Sequence, residues 1–116
     1  IGNEHEWSSL YQTDLSAALE QAAADSGLVV CTRSGHDVIV VRGDEQAIVL
    51  VRKIVPVDAT GAGDQFAAGF LYGLATGQSL SNCGRMGCVA AAEVISHFGA
   101  RPETDLKALF RKEGLI

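Results

Sequence analysis

Basic residues are scarce. The 116 residues carry nine Lys and Arg against fourteen Asp and Glu, a net charge of −5. The few cations are scattered, so they assemble no basic face of the kind that tracks a nucleic-acid backbone, and nucleic acid is excluded as a partner class. No run approaches the roughly 18 to 20 apolar residues that a membrane span needs. No basic stretch leading into an apolar one stands at the N-terminal end, and no membrane partner is expected. Cysteine is sparse as well: Cys31, Cys83 and Cys88 are odd in number and form no CxxC pair. They read as reduced packing thiols of a cytoplasmic protein. Repeats and low-complexity tracts are absent. The acidic balance does not forbid a phosphate ligand, because backbone N–H groups and a metal ion can hold one without basic side chains.

What is present is the composition of a globular chain, 47% apolar and 20% charged, long enough for one compact domain. The chain opens at Ile1 without a Met, directly into Gly2-Asn3-Glu4, and is expected to be a piece of a longer polypeptide.

The pattern along the chain predicts a short helix over Glu4 to Leu10 with Asn3 as N-cap. A clearer helix follows over Thr13 to Ser26, capped by Thr13 and ended by Gly27. Leu28 to Thr32 is a short β-branched run that reads as a buried strand. Val38 to Arg42 and Ala47 to Arg52 read as a hairpin turned at Gly43-Asp44. After Pro56 comes a Gly-rich turn, Asp58 to Asp64, and then an apolar helix over Gln65 to Ala75. Its small residues, Ala67, Ala68, Gly69 and Gly73, would let it lie close to a neighbour. Ser81 to Ser96 reads as a further helix, ended by Gly99 and Pro102. A last amphipathic helix starts at Thr104 or Asp105, with Leu106, Leu109 and Phe110 on one face. The class is α/β, with too few strands for a self-sufficient sheet.

The Gly-rich turn is where chemistry is expected. In Thr60-Gly-Ala-Gly-Asp64 the small residues let backbone approach a ligand closely. The turn runs into a helix whose free first-turn N–H groups and dipole suit an anion. Negative charge developing on a transferring phosphoryl group would be stabilised there. Asp64, in the same turn, is placed to accept a proton from an attacking hydroxyl. On these residues alone, a tight turn in which Asp64 merely complements the helix dipole explains the pattern equally well. The spacing excludes a Walker A loop, since no Lys-Ser/Thr follows, and a dinucleotide fingerprint, since its third Gly would fall on Phe66.

The longer stretch, Asp58-Ala-Thr-Gly-Ala-Gly-Asp-Gln-Phe-Ala-Ala-Gly-Phe70, closely resembles the C-terminal signature of the ribokinase (PfkB) carbohydrate and nucleoside kinase family, D-T/A-T-G-A-G-D-x-F-x-x-G. The resemblance implies a ribokinase-like three-layer α/β/α fold, of which residues 1–116 would be the C-terminal part. It implies Asp64 as catalytic base and the backbone of Gly61, Ala62 and Gly63 as anion hole. Asp58 and Thr60 would belong to a loop for a monovalent cation (K⁺). Carbonyls around His97 and Gly99 would complete that loop, where Gly99-Ala-Arg-Pro102 stands.

Asn3-Glu-His-Glu6 resembles the family's N-x-x-E motif. There Glu6 would help to organise Mg²⁺ through water, and Asn3 would lie near the nucleotide phosphates. By themselves these four residues read as a helix cap with two surface acids, and no HExxH zinc motif is present. Thr32-Arg-Ser-Gly35 stands where the family has a T-x-G-x-x-G nucleotide loop, with Ser34 and Asp37 departing from it; Thr32 is the nucleotide-side candidate. Cys88 matches a position that often touches the base, although a packing thiol is the plainer reading. His36 and His97 show no catalytic partner, and Trp7 and Tyr11, four apart, read as packing.

The resemblance covers nearly the whole chain in the family's order. It implies transfer of the γ-phosphoryl of ATP to a primary hydroxyl of a small-molecule nucleoside or sugar. The detail around Ala59 to Gly73, Gly99 to Pro102 and Thr32 to Ser34 looks most like the bacterial adenosine-kinase-like branch, which favours adenosine over a free sugar. Family members are about three times longer, and their N-terminal part holds the acceptor pocket. The piece would therefore need the rest of its polypeptide, and a homodimer stays open. A ribokinase-type sugar kinase and a fragment with no activity of its own are the alternatives.

Overall fold

The computed structural model describes residues 1–33, 37–51, 57–58, 60–99, 101–102 and 104–116. The chain divides into two compact units, Ile1–Arg52 and Lys53–Ile116.

The first unit opens with a two-residue strand, β1 (Gly2–Asn3), and two helices, α1 (Glu4–Tyr11) and α2 (Leu15–Ser26), followed by β2 (Val29–Thr32), β3 (Asp37–Arg42) and β4 (Glu45–Leu50). The sheet order is β1-β2-β3-β4, with β1 parallel to β2 and the other pairs antiparallel. Asn3 caps α1 as expected and does so through a reciprocal capping box. Its Oδ1 accepts the Glu6 N–H at 2.8 Å, and Glu6 Oε1 accepts the Asn3 N–H at 3.0 Å.

The second cap differs from expectation. Asp14, not Thr13, stands at the N-cap, and its Oδ1 accepts the Ala17 N–H at 2.9 Å. Gly27 ends α2 at φ 79°, a conformation open chiefly to glycine. The hairpin pairs Arg42 with Glu45, so Gly43-Asp44 is a two-residue turn and β4 starts two residues before Ala47. β4 ends at Leu50, and the expected end at Arg52 lies outside the described residues.

Alternation along the strands divides the sheet into two faces. Val29, Cys31 and Ile39 pack against Leu19 and Ala22 of α2 and Trp7 and Tyr11 of α1. The Trp7 and Tyr11 rings stack at 6.5 Å, and Trp7 Nε1 donates to the Val30 carbonyl at 3.1 Å, which ties α1 to β2. On the other face Val30, Val38, Val40 and Val49 are buried.

The second unit holds α3 (Ala62–Ala75), α4 (Leu80–Ile95) and α5 (Leu106–Lys112). α3 starts three residues earlier than its sequence pattern indicates, because Gly61 adopts φ 81° as N-cap and brings Ala62 to Asp64 into the first turn. Ser79 caps α4 and Asp105 caps α5. Of the small residues expected to allow close approach, Gly69 and Gly73 lie against α4, whereas Ala68 is exposed. A Cβ on Gly69 would stand 2.6 Å from the Met86 carbonyl oxygen, and one on Gly87 would stand 2.7 Å from the Phe66 ring. Only hydrogen lets these helices approach so closely. Phe110 and Leu115 close the unit over Met86 and Ala90.

Candidate active site

The first intrahelical bond of α3 runs from the Gln65 N–H to the Gly61 carbonyl at 3.0 Å. The N–H groups of Ala62, Gly63 and Asp64 precede it and so have no acceptor within the helix. Gly61 supplies no side-chain cap. Three amides therefore converge at the positive end of a fourteen-residue helix. Gly63 is exposed, and a Cβ there would meet nothing within 4 Å. Packing thus does not require glycine at 63, whereas close approach of a ligand to the backbone would. Asp64 is the third residue of the helix and is exposed, so its carboxylate is open to a substrate hydroxyl.

Beside this turn the structure joins the two stretches expected to form a cation loop. Asp58 Oδ1 accepts the Thr60 N–H at 3.0 Å and the Thr60 hydroxyl at 2.7 Å. Asp58 Oδ2 accepts the N–H of Gly99 at 3.2 Å. The N–H groups of Val57 and Asp58 both donate to the Ile95 carbonyl, at 2.8 and 3.3 Å. The Thr60 hydroxyl and backbone bonds, and then the Gly99 N–H, hold the Asp58 carboxyl below its ordinary range, with His97 adding a smaller pull in the same direction. Asp58, Thr60 and Gly99 are thus one cluster. A potassium ion fits oxygen donors of this kind: an ionised carboxylate that ties two backbone segments, with a threonine hydroxyl beside it.

His97, which shows no partner in sequence, has one. Its Nε2 lies 2.9 Å from Oε1 of Glu93, one helical turn earlier, and its Nδ1 lies 3.0 Å from the Phe98 carbonyl oxygen. The i, i+4 spacing, from the last turn of α4 to the residue just past its C-cap, was the available signal.

The nucleotide-side candidates lie in the first unit. The parallel register pairs Asn3 with Thr32, side by side at the C-terminal ends of β1 and β2. That is the end of a parallel pair at which α/β folds take ligands. Asn3 Oδ1 and Glu6 Oε1 are both spent on the capping box, so the plainer sequence reading of these residues as a cap holds in the structure. Glu6 is exposed and keeps its second oxygen. No group of three or more His, Cys, Asp or Glu able to hold a metal occurs among the described residues. A hydrated Mg²⁺ that keeps most of its waters and takes one carboxylate fits this arrangement. Ser34, Gly35 and His36 lie outside the described residues. Cys88 is half-buried in α4, and burial pushes its thiol up to about 11, which suits a packing group and not a nucleophile. Cys31, Cys83 and Cys88 are thiols.

The family model for pfkB family carbohydrate kinases matches residues 1–106. The chain belongs to that family. Among solved structures it is similar to a probable sugar kinase from Rhizobium etli, at 44% identity and TM-score 0.94, covering 99% of this chain and 36% of that one. It is similar to an adenosine kinase from Sinorhizobium meliloti, at 41% identity and TM-score 0.91, covering 97% and 35%. A double-mutant fructokinase from Vibrio cholerae, solved with fructose, ADP and a potassium ion bound, is 30% identical at TM-score 0.78, covering 94% and 38%. The fold is therefore the ribokinase-like α/β fold of these kinases, and the chain spans little more than a third of the length of each. None of the helices described is long and apolar enough to cross a membrane.

Proposed function

We propose that the protein transfers the γ-phosphoryl group of ATP to a primary hydroxyl of a nucleoside or sugar, with adenosine the favoured acceptor. The observation that carries this reading is the start of α3, where three amides with no acceptor inside the helix and an exposed carboxylate share one helical turn. Asp64 accepts the proton of the acceptor hydroxyl, and the oxygen so released attacks the γ-phosphorus in line as the bond from that phosphorus to the β–γ bridging oxygen breaks and ADP leaves. The expected anion hole of Gly61, Ala62 and Gly63 shares the amides of Ala62 and Gly63 with that helix start; they would face the oxygens on which charge accumulates, and the αL turn at Gly61 presets their direction.

Asn3 and Thr32, paired in register, hold the nucleotide side, and Cys88 packs near the base. Glu6 would hold hydrated Mg²⁺, and Asp58, Thr60 and Gly99 a potassium ion. When bound, these ions offset the charge of the phosphates and of the transition state. Adenosine is favoured over a sugar by the likeness to the Sinorhizobium meliloti adenosine kinase, while the Rhizobium etli and Vibrio cholerae proteins keep a sugar kinase as the second reading. Residues 1–116 hold the base, the anion hole and the ATP side. The acceptor pocket belongs to the remainder of a cytoplasmic polypeptide, so the piece by itself is inactive.

The test is Asp64→Asn in the complete polypeptide, with ADP release followed against a panel of nucleosides and sugars. Turnover is expected to fall by roughly 10²- to 10⁴-fold, the usual contribution of a positioned base, with ATP binding retained. Undiminished turnover in the variant would remove Asp64 from the role.

A further inference from the structure

Glu93 is a buried charged residue, 9% exposed, on a helix whose other buried positions are apolar or glycine. A carboxylate there is costly unless it is well bonded, and an apolar residue would serve packing as well or better. Its Oε1 is bonded from two directions. His97 Nε2 approaches at 2.9 Å from the loop after α4, and the Thr104 N–H at 3.3 Å from the segment leading into α5. His97, 13% exposed at its side chain, reaches on to the Phe98 carbonyl through Nδ1. The next residue, Gly99, turns at φ 91° and gives its N–H to Asp58. A chain of contacts thus runs from the buried end of α4, through His97 and Phe98, to the carboxylate at the centre of the Asp58–Thr60–Gly99 cluster.

We infer that Glu93 and His97 are positioning residues for the cation loop. The pair fixes the path of residues 97 to 99, so that the Gly99 N–H meets Asp58 and the neighbouring carbonyls keep their direction toward a monovalent cation. Neither side chain touches the ion. Both act through the backbone they hold, as outer-shell partners orient first-shell ligands at metal sites. The inference rests on the cation reading of Asp58, Thr60 and Gly99 given above.

The experiment compares Glu93→Ala, His97→Ala and the conservative Glu93→Gln with the wild type in the complete polypeptide. Two quantities are read: the rise in Tm on replacing choline chloride by potassium chloride at fixed ionic strength, and the potassium concentration for half-maximal activation. In both alanine variants the half-activating concentration should rise about 10-fold or more, the usual cost of removing an outer-shell partner. The potassium-dependent rise in Tm should shrink with it, while the acceptor KM stays within twofold of wild type by the same outer-shell argument. Glu93→Gln keeps an oxygen acceptor at Oε1 and should respond nearly as the wild type does. If Glu93→Ala fails to fold, His97→Ala, at a less buried position, carries the comparison. A lower Tm with an undiminished response to potassium would mark a purely structural pair and overturn the inference. A wild-type protein indifferent to potassium would instead overturn the cation reading itself, and the inference with it.

Discussion

Asp58 shows how one carboxylate can serve structure and site together. It accepts three hydrogen bonds from two stretches of chain, and those bonds favour its ionised form. A group whose carboxyl is depressed on folding adds stability above its unfolded-state pKa, about 3.9 for Asp, and loses it as the pH falls through the depressed value. Asp58→Ala should therefore lower Tm by a constant amount from neutral pH down to about 4, with the gap to wild type closing in more acidic solution. Thermal melts across pH check this, and a gap that persists undiminished under strong acid would contradict it. The Gly-rich turn was legible in sequence through the length of its likeness to the family signature, from Asp58 to Phe70; two glycines and an acid before an apolar helix would by themselves suit a plain tight turn equally well. Glu93 was not legible, since a glutamate among alanines on a helix reads as a surface residue until its burial is seen.

At the scale of elements, helix periodicity was read well and exact starts less so: the Asn3 cap held, while the cap of α2 fell on Asp14 and not Thr13. The hairpin and the Gly27 stop followed from turn chemistry. β1 escaped notice because two residues carry no alternation, and only the parallel pairing with Cys31 and Thr32 defines it. The start of α3 was placed late because glycine is a poor helix former, whereas Gly61 is suited to the left-handed N-cap that starts the helix. The same element separates two uses of glycine. Gly69→Ala would drive a methyl into the backbone of α4, and should cost about 1 to 3 kcal/mol as overpacking does. Gly63→Ala has open space around its Cβ, and should leave stability unchanged or raise it by about 0.5 to 1 kcal/mol. Its turnover should nonetheless fall, because the methyl enters the space a phosphate would take. Denaturant melts paired with steady-state rates distinguish the two glycines.

At the scale of the molecule, the class and family were legible from motif order, but the extent of the sheet was not. Among the described residues four strands are present where three were expected, and on the helix-covered face β4 leaves Ile48 and Leu50 exposed, Leu50 by 81%. Phe98 in the second unit is 79% exposed. Large apolar side chains in water favour association. Residues 1–116 expressed alone should therefore self-associate or bind a hydrophobic dye, and the complete polypeptide should do so less. Size-exclusion chromatography of the two at matched concentrations checks this, with equal, monomeric elution as the contrary result.

The bond between Asp58 and Gly99 spans 41 residues of sequence and closes the α3–α4 hairpin on itself. Long-range closures of this kind form after local helices and open before them. The place assigned to chemistry is therefore a latch on a preformed hairpin. Opening the latch would part the Asp58–Thr60 turn from Gly99 while the glycine-packed interior of α3 and α4 stays shut. The Gly99 amide, measured by hydrogen exchange, would then report how often the site comes apart in a molecule that remains folded.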